Sequence, residues 1–185
     1  MAKLDIVIAP DPVLRKTCKP VEAVDERVRR LMDDMLETMY DAPGIGLAAP
    51  QVGRLERVLV VDVAREDEAP QPYQMANPEV IWAADEEEVH EEGCLSLPDF
   101  YADVTRPRAV RVRYLDRDNE VREVDAEGLL ATCVQHEIDH LNGVLFVDYL
   151  SALKRNMILK KLAKQKQQTQ KKSGKPAPAA KEAAL

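Results

Sequence analysis

No stretch of these 185 residues approaches the ~18 consecutive apolar residues of a membrane-crossing helix, and Asp5 and Pro10 interrupt the opening segment MAKLDIVIAPDP. A soluble cytoplasmic protein with no membrane association is the expectation. The three cysteines, Cys18, Cys94 and Cys133, are too sparse and odd in number for a disulfide framework. In a reducing compartment any of them could serve as a thiolate ligand. There is no internal repeat, and one domain accounts for the length, since a chain of this size buries roughly 70% of its unfolded surface. Histidine is equally scarce, at three residues, and two of the three stand four positions apart.

Those two lie in QHEIDH, residues 135–140. On a helix, positions i and i+4 stand about 40° apart around the axis and about 6 Å apart along it. His136 and His140 can therefore aim their imidazoles at one point, which Glu137 borders. Two imidazoles that hold a metal, beside a carboxylate that moves protons for an activated water, form a recurrent hydrolytic arrangement. The motif alone does not decide the matter, because surface helices carry such residues idly. A mononuclear catalytic site needs a third protein ligand and an open position.

Charge is unevenly spread. The net charge is −7, yet from residue 151 onward ten Lys and Arg face a single acid, Glu182, so the tail carries +9 and residues 1–150 carry −16. An acidic body with a basic tail fits a segment drawn to a polyanion, or simply a solubilising one.

Along the chain, residues 25–40 place Val28, Leu31, Met32, Met35, Leu36 and Met39 at helical spacing behind Asp25 as N-cap. The Gly-, Ala- and Pro-rich segment DAPGIGLAAPQVG reads as a loop whose backbone approaches something closely. RVLVVDV reads as a strand, residues 64–72 as a surface loop, and residues 73–82 and 86–90 as weaker strands. Residues 109–115 and 120–125 alternate and form a β-hairpin. A helix from about residue 126 to 141 follows, stopped by Gly143. Residues 151–168 form a basic amphipathic helix through Leu153, Met157, Ile158 and Leu162. Residues 169–185, low in hydrophobicity and rich in Lys, Pro and Ala, read as disordered.

Three residues compete as third ligand. Cys133 shares the helical face of the histidine pair but belongs to an apolar pattern that suits a core. His90 has no local partner. Cys94, in EEGCLSLP, is favoured because Gly93 frees the backbone and Pro98 ends the segment, so that a short irregular turn would present a thiolate.

GIGLAAPQ at 44–51, EGCLS at 92–96 and QHEIDHLNG at 135–143 stand in the order found in peptide deformylases, and the sequence resembles that family over about residues 4–155. The resemblance makes residues 1–150 the catalytic domain and implies metal-dependent removal of the formyl group from N-formylmethionyl nascent polypeptides. It implies that Cys94, His136 and His140 bind the metal, with Cys133 left to the core, and that Glu137 is the general base and acid. It makes Gln51 and the backbone N–H of Leu95 the oxyanion donors. The backbones of Ile45, Gly46 and Gly93 would pair with the extended substrate. Ile45, His90, Leu129, Thr132 and Cys133 would line the methionine pocket, although His90 and Thr132 stand where the family often has aliphatic residues. The implied metal is Fe(II), one per chain, with Ni, Co or Zn as substitutes. The basic C-terminal segment resembles the helix through which some deformylases approach the ribosome, and a monomer is expected.

The fold expected is α+β: antiparallel strands around a central helix that carries HEIDH, plus a C-terminal helix. Two rivals differ from this reading. A zinc endopeptidase shares His-Glu-x-x-His but needs a downstream ligand, and only Asp148 and Glu182 offer carboxylates after His140. A binding module with a purely structural metal would have a saturated coordination sphere and no use for Glu137 or Gln51.

Overall fold

The computed structural model describes residues 2–65 and 67–173. Helix α1 (Glu26–Asp41) starts where the carboxylate of Asp25 accepts a hydrogen bond from the Val28 N–H at 2.9 Å. Seven strands follow: β1 (Gly46–Ala48), β2 (Val58–Val61), β3 (Tyr73–Ala83), β4 (Glu87–Cys94), β5 (Leu97–Pro107), β6 (Ala109–Leu115) and β7 (Val121–Glu127). Helix α2 (Gly128–Leu141) carries HEIDH, and helix α3 (Ala152–Ser173) ends the described chain.

All pairings between these strands are antiparallel. They form a five-stranded sheet in the order β1-β2-β3-β6-β7 and a separate β4-β5 hairpin. Strand β2 explains the layering. Its residues VLVV are all buried, which an antiparallel strand shows only when both faces are covered. Val58 and Val60 pack with Val28, Met32, Met35 and Met39 of α1, whereas Leu59 and Val61 pack with Ala131, Val134 and Leu141 of α2. A third cluster joins Leu97, Ala102 and Val104 of β5 to Phe146 and to Ile158 and Leu162 of α3. Helix α2 is thus flanked by the large sheet on one side and the hairpin cluster on the other, where the His136 ring stacks on Phe146 with centroids 6.1 Å apart. The architecture is α+β, as the sequence suggests.

Four local readings change. GIGLAAPQ is not simply a loop: its middle is edge strand β1, and residues Ala49–Val52 form a 3-10 turn. Strand β5 has no counterpart among the elements expected from the sequence. Cys94 is the last residue of strand β4, where the register shifts after Gly93, and it faces Leu97 across a two-residue turn, so the thiol stands at the strand's irregular end rather than in the turn itself. Helix α2 begins two residues later than expected, and α3 runs to Ser173, five residues past the expected limit. Residues 174–185 of the tail read as disordered lie outside the described residues.

The face of α3 also differs. Ile158 and Leu162 are buried, but Leu153 is 83% exposed and Met157 48% exposed. Only part of the apolar stripe meets the body. No helix among the described residues is long and apolar enough to cross a membrane.

Candidate metal centre

The three proposed ligands come from two elements that the fold brings face to face. Cys94 ends β4, and His136 and His140 occupy successive turns of α2, with ring centroids 5.0 Å apart. The Cys94 Sγ lies 3.3 Å from the His140 Nε2, and one ligand atom from each residue falls within 4.8 Å of the others. Among the described residues this is the only cluster of its kind.

Whether these residues suit a metal is decided by their protonation and orientation. Burial, then the neighbouring His136, holds the His140 pKa well below the usual imidazole range, so its ring is neutral, the form that ligates. The His136 Nδ1 lies 2.9 Å from the Glu92 Oε2. With a proton on Nδ1, the ring donates to the carboxylate and leaves Nε2 free to ligate, the usual orienting device for a metal-bound histidine. Burial works against a charged His136, yet the hydrogen bonds to Cys94 and Glu92 carry its pKa well above the ordinary value. A divalent cation held by Cys94, His136 and His140 would supply the positive charge that the His136 proton otherwise provides. Cys133 is a poor competitor: burial and the nearby carboxylate of Glu137 push its thiol pKa well above 9.0, and its Sγ sits 3.4 Å from the Ile45 carbonyl oxygen. The donor set therefore fits one borderline-soft divalent metal.

A cleft of about 410 Å³ opens over this cluster. Glu137 is 4% exposed and reaches the cleft wall, with one carboxylate oxygen buried and unpartnered. Burial first, and then the nearby Glu92, raise its pKa to about 7, while His136 works in the opposite direction. A carboxylate poised there can take and return a proton near neutrality. Gln51 is fixed at both ends. Its Oε1 accepts from the Ala48 N–H at 2.8 Å, so its Nε2 must face the hairpin, where it lies 3.2 Å from the Ser96 Oγ and 3.5 Å from the Cys94 Sγ.

Ile45, Gly46, Gly93 and Leu95 line the same cleft, as do Leu129, Thr132 and Cys133. Of these Ile45 is 42% and Leu129 51% exposed, so an apolar rim stands open to solvent. His90 is not brought to the site: it lies on β4 outside the cleft wall, with its Nε2 3.1 Å from a Glu88 carboxylate oxygen. Successive strand residues alternate in direction, so His90 shares a face with Glu88, Glu92 and Cys94, but four residues of strand rise carry it about 13 Å from Cys94.

Glu92 is a buried neighbour of His136 that the sequence patterns alone do not single out. It orients His136 and is held by the Arg106 guanidinium, whose Nε and Nη2 meet its two oxygens at 2.5 and 3.0 Å. Its pKa falls below the ordinary value because His136 and Arg106 outweigh the opposing effect of burial, the largest single influence. The available signal is strand periodicity: Glu92 and Cys94 share a face of β4, and Ala102, Val104 and Arg106 form the inward series of β5.

Known proteins show the same chain organisation. A family model described as polypeptide deformylase matches residues 3–156. A peptide deformylase of Mesorhizobium japonicum is 61% identical over 159 residues, covering 86% of this chain and 90% of its own, and one of Rhizobium meliloti is 59% identical over the same length, covering 86% and 91%. Among solved structures, peptide deformylase from Ehrlichia chaffeensis aligns with a TM-score of 0.87 at 40% identity, covering 91% of this chain and 99% of that one. A structure of the Ehrlichia enzyme in complex with actinonin aligns with a TM-score of 0.85 at 43% identity, covering 89% and 98%.

Proposed function

The chain belongs to the polypeptide deformylase family, and from that premise we propose how its own residues remove the formyl group from N-formylmethionyl peptides. The observation that carries the reading is the placing of Glu137, with its unpartnered buried oxygen, on the wall of a cleft above a Cys94, His136 and His140 cluster. These three residues hold the metal, which we read as Fe(II), one per chain, with Ni, Co or Zn able to substitute. When bound there, a divalent metal supplies Lewis acidity, which acidifies water and polarises a carbonyl.

The chain's residues do the rest. The edge backbone of Ile45 and Gly46, with Gly93 across the cleft, aligns the extended peptide as an added strand. Leu129, Thr132 and Cys133 receive the methionine side chain, and Ile45 covers it. Glu137 takes the proton of the attacking water as its oxygen bonds to the formyl carbon. The carbonyl oxygen gains negative charge, which the Gln51 Nε2–H and the Leu95 backbone N–H stabilise. Glu137 then hands its proton to the departing amine as the carbon–nitrogen bond breaks, and formate and the free N-terminus leave.

We further propose that the enzyme works in the cytoplasm as a monomer, and that the lysines of α3 draw it to ribosomal RNA beside its nascent substrate.

The test is formate release from formyl-Met-Ala-Ser by protein loaded anaerobically with Fe(II), beside Glu137→Gln and a casein control. Glu137 lies outside the ligand set, so the variant should keep its metal and lose turnover by about 10²-fold or more. Casein cleavage without formate release would make the protein a peptidase instead.

A further inference from the structure

The carboxylate that orients His136 is not the end of its chain of contacts. The Glu92 Oε2 is shared: it receives the Arg106 Nη2 at 3.0 Å and faces the His136 Nδ1 at 2.9 Å. Any rotation of the guanidinium therefore moves the oxygen that sets the imidazole. Arg106 itself is 4% exposed and is held from its far side by Asp139, whose Oδ2 accepts from Nη1 at 2.9 Å. That same Oδ2 accepts from the Tyr149 hydroxyl at 2.8 Å, and the Tyr149 ring covers the guanidinium with 4.8 Å between the Arg106 Cζ and the ring centroid. Tyr149 is 49% exposed and stands at the end of the 3-10 turn Phe146–Tyr149, three residues before α3 begins.

We propose that Tyr149 is a positioning residue of the metal centre, acting on His136 through Asp139, Arg106 and Glu92, and that it ties the segment leading into the C-terminal helix to the metal ligand set. The inference rests on the deformylase reading for its consequence in catalysis, but not for its effect on the metal. Its physical basis is competition for one planar fork. A guanidinium gripped by two carboxylates on opposite sides takes up a fixed orientation, whereas weakening one side lets it follow the other. Without the hydroxyl, the Asp139 Oδ2 depends on Arg106 alone and draws the fork toward itself. The Glu92 Oε2 then shifts with the fork, and His136 loses the orientation that Cys94 and His140 require of it.

Tyr149→Phe keeps the ring over Arg106 and removes only the hydroxyl. Wild type and variant would be loaded with Co(II), their visible ligand-field spectra compared, and release of Co(II) to a chelator timed. Partners directly behind a metal ligand typically change affinity by about 10- to 100-fold, so a residue three contacts further out should speed release by about 3- to 10-fold. The spectrum should shift, and kcat should fall with KM unchanged. An Asp139→Asn variant, which loosens the far-side grip and lets the fork follow Glu92 instead, should also shift the spectrum and change the rate of release. Superimposable spectra and equal release rates for Tyr149→Phe and wild type would overturn the proposal, even if the variant melted at a lower temperature. Wild-type protein that binds Co(II) but releases no formate would sink the enzymatic reading instead, and the spectral comparison would still decide the role of Tyr149.

Discussion

Gly46 shows how closely edge strand β1 approaches the Glu137 carboxylate. A Cβ built there would lie 2.4 Å from the Glu137 Oε1 and 2.8 Å from the Cys133 Sγ, distances no real side chain tolerates. Both neighbours are buried on α2, so Glu137 can make room only by leaving its position. Gly46→Ala should therefore push Glu137 off its station while leaving the ligands in place. Formate release should drop by about 10²-fold, the typical cost of an ångström of misplacement, with metal content unchanged. Full activity in the alanine variant would show that Glu137 does not act from this position. At this scale the sequence is most readable where the chemistry is local. His136, Glu137 and His140 announce themselves through i, i+4 spacing, and the glycines of GIGLAAPQ announce a close approach. The charged support behind them is hidden, because nothing near Glu92 or Arg106 in the sequence shows that one will be 5% and the other 4% exposed against each other. Fourteen residues separate them, and only the β4-β5 hairpin brings them together.

Helices and strands are legible in proportion to their regularity. Helix α1 shows both a cap and a continuous apolar stripe, and its observed limits lie one residue from the expected ones. Strand β5 fails the same test, since its inward series ends on a charged residue, Arg106, and its outward series mixes acids with aromatics. A pattern search finds alternation only when burial and hydrophobicity coincide, and in β5 they part where the charged support behind His136 is built. Helix α3 presents the opposite case, an apolar stripe wider than the face that docks. Its anchoring predicts a contrast between two leucines. Leu162 is 1% exposed and packs in the cluster with Leu97 and Phe146, so Leu162→Ala should lower stability by about 2 to 4 kcal/mol in urea unfolding. Leu153, at 83% exposure, should tolerate the same change within about 0.5 kcal/mol. Equal costs at the two sites would mean that α3 does not dock through Ile158 and Leu162.

Across the whole molecule, the docked helix joins two regions of opposite charge: an acidic body of −16 over residues 1–150 and a basic segment of +9 beyond it. Because Ile158 and Leu162 anchor α3, a polyanion that met its outer face would hold the body at a set orientation rather than on a loose tether. Lys160, Lys161 and Lys164 lie on that exposed face. Removing α3 altogether would also strip buried side chains from the cluster beneath His136, and any loss of ribosome association would then be confounded with loss of stability. Charge reversal avoids this. The triple variant Lys160→Glu, Lys161→Glu, Lys164→Glu should retain formate release from a free formylated tripeptide, because none of these lysines lines the cleft. Its co-sedimentation with ribosomes at low salt should fall sharply, and the dependence of binding on salt should flatten by about one unit of logarithmic slope for each phosphate that the variant no longer neutralises. Unchanged co-sedimentation would leave α3 as a solubilising helix with no part in reaching the ribosome.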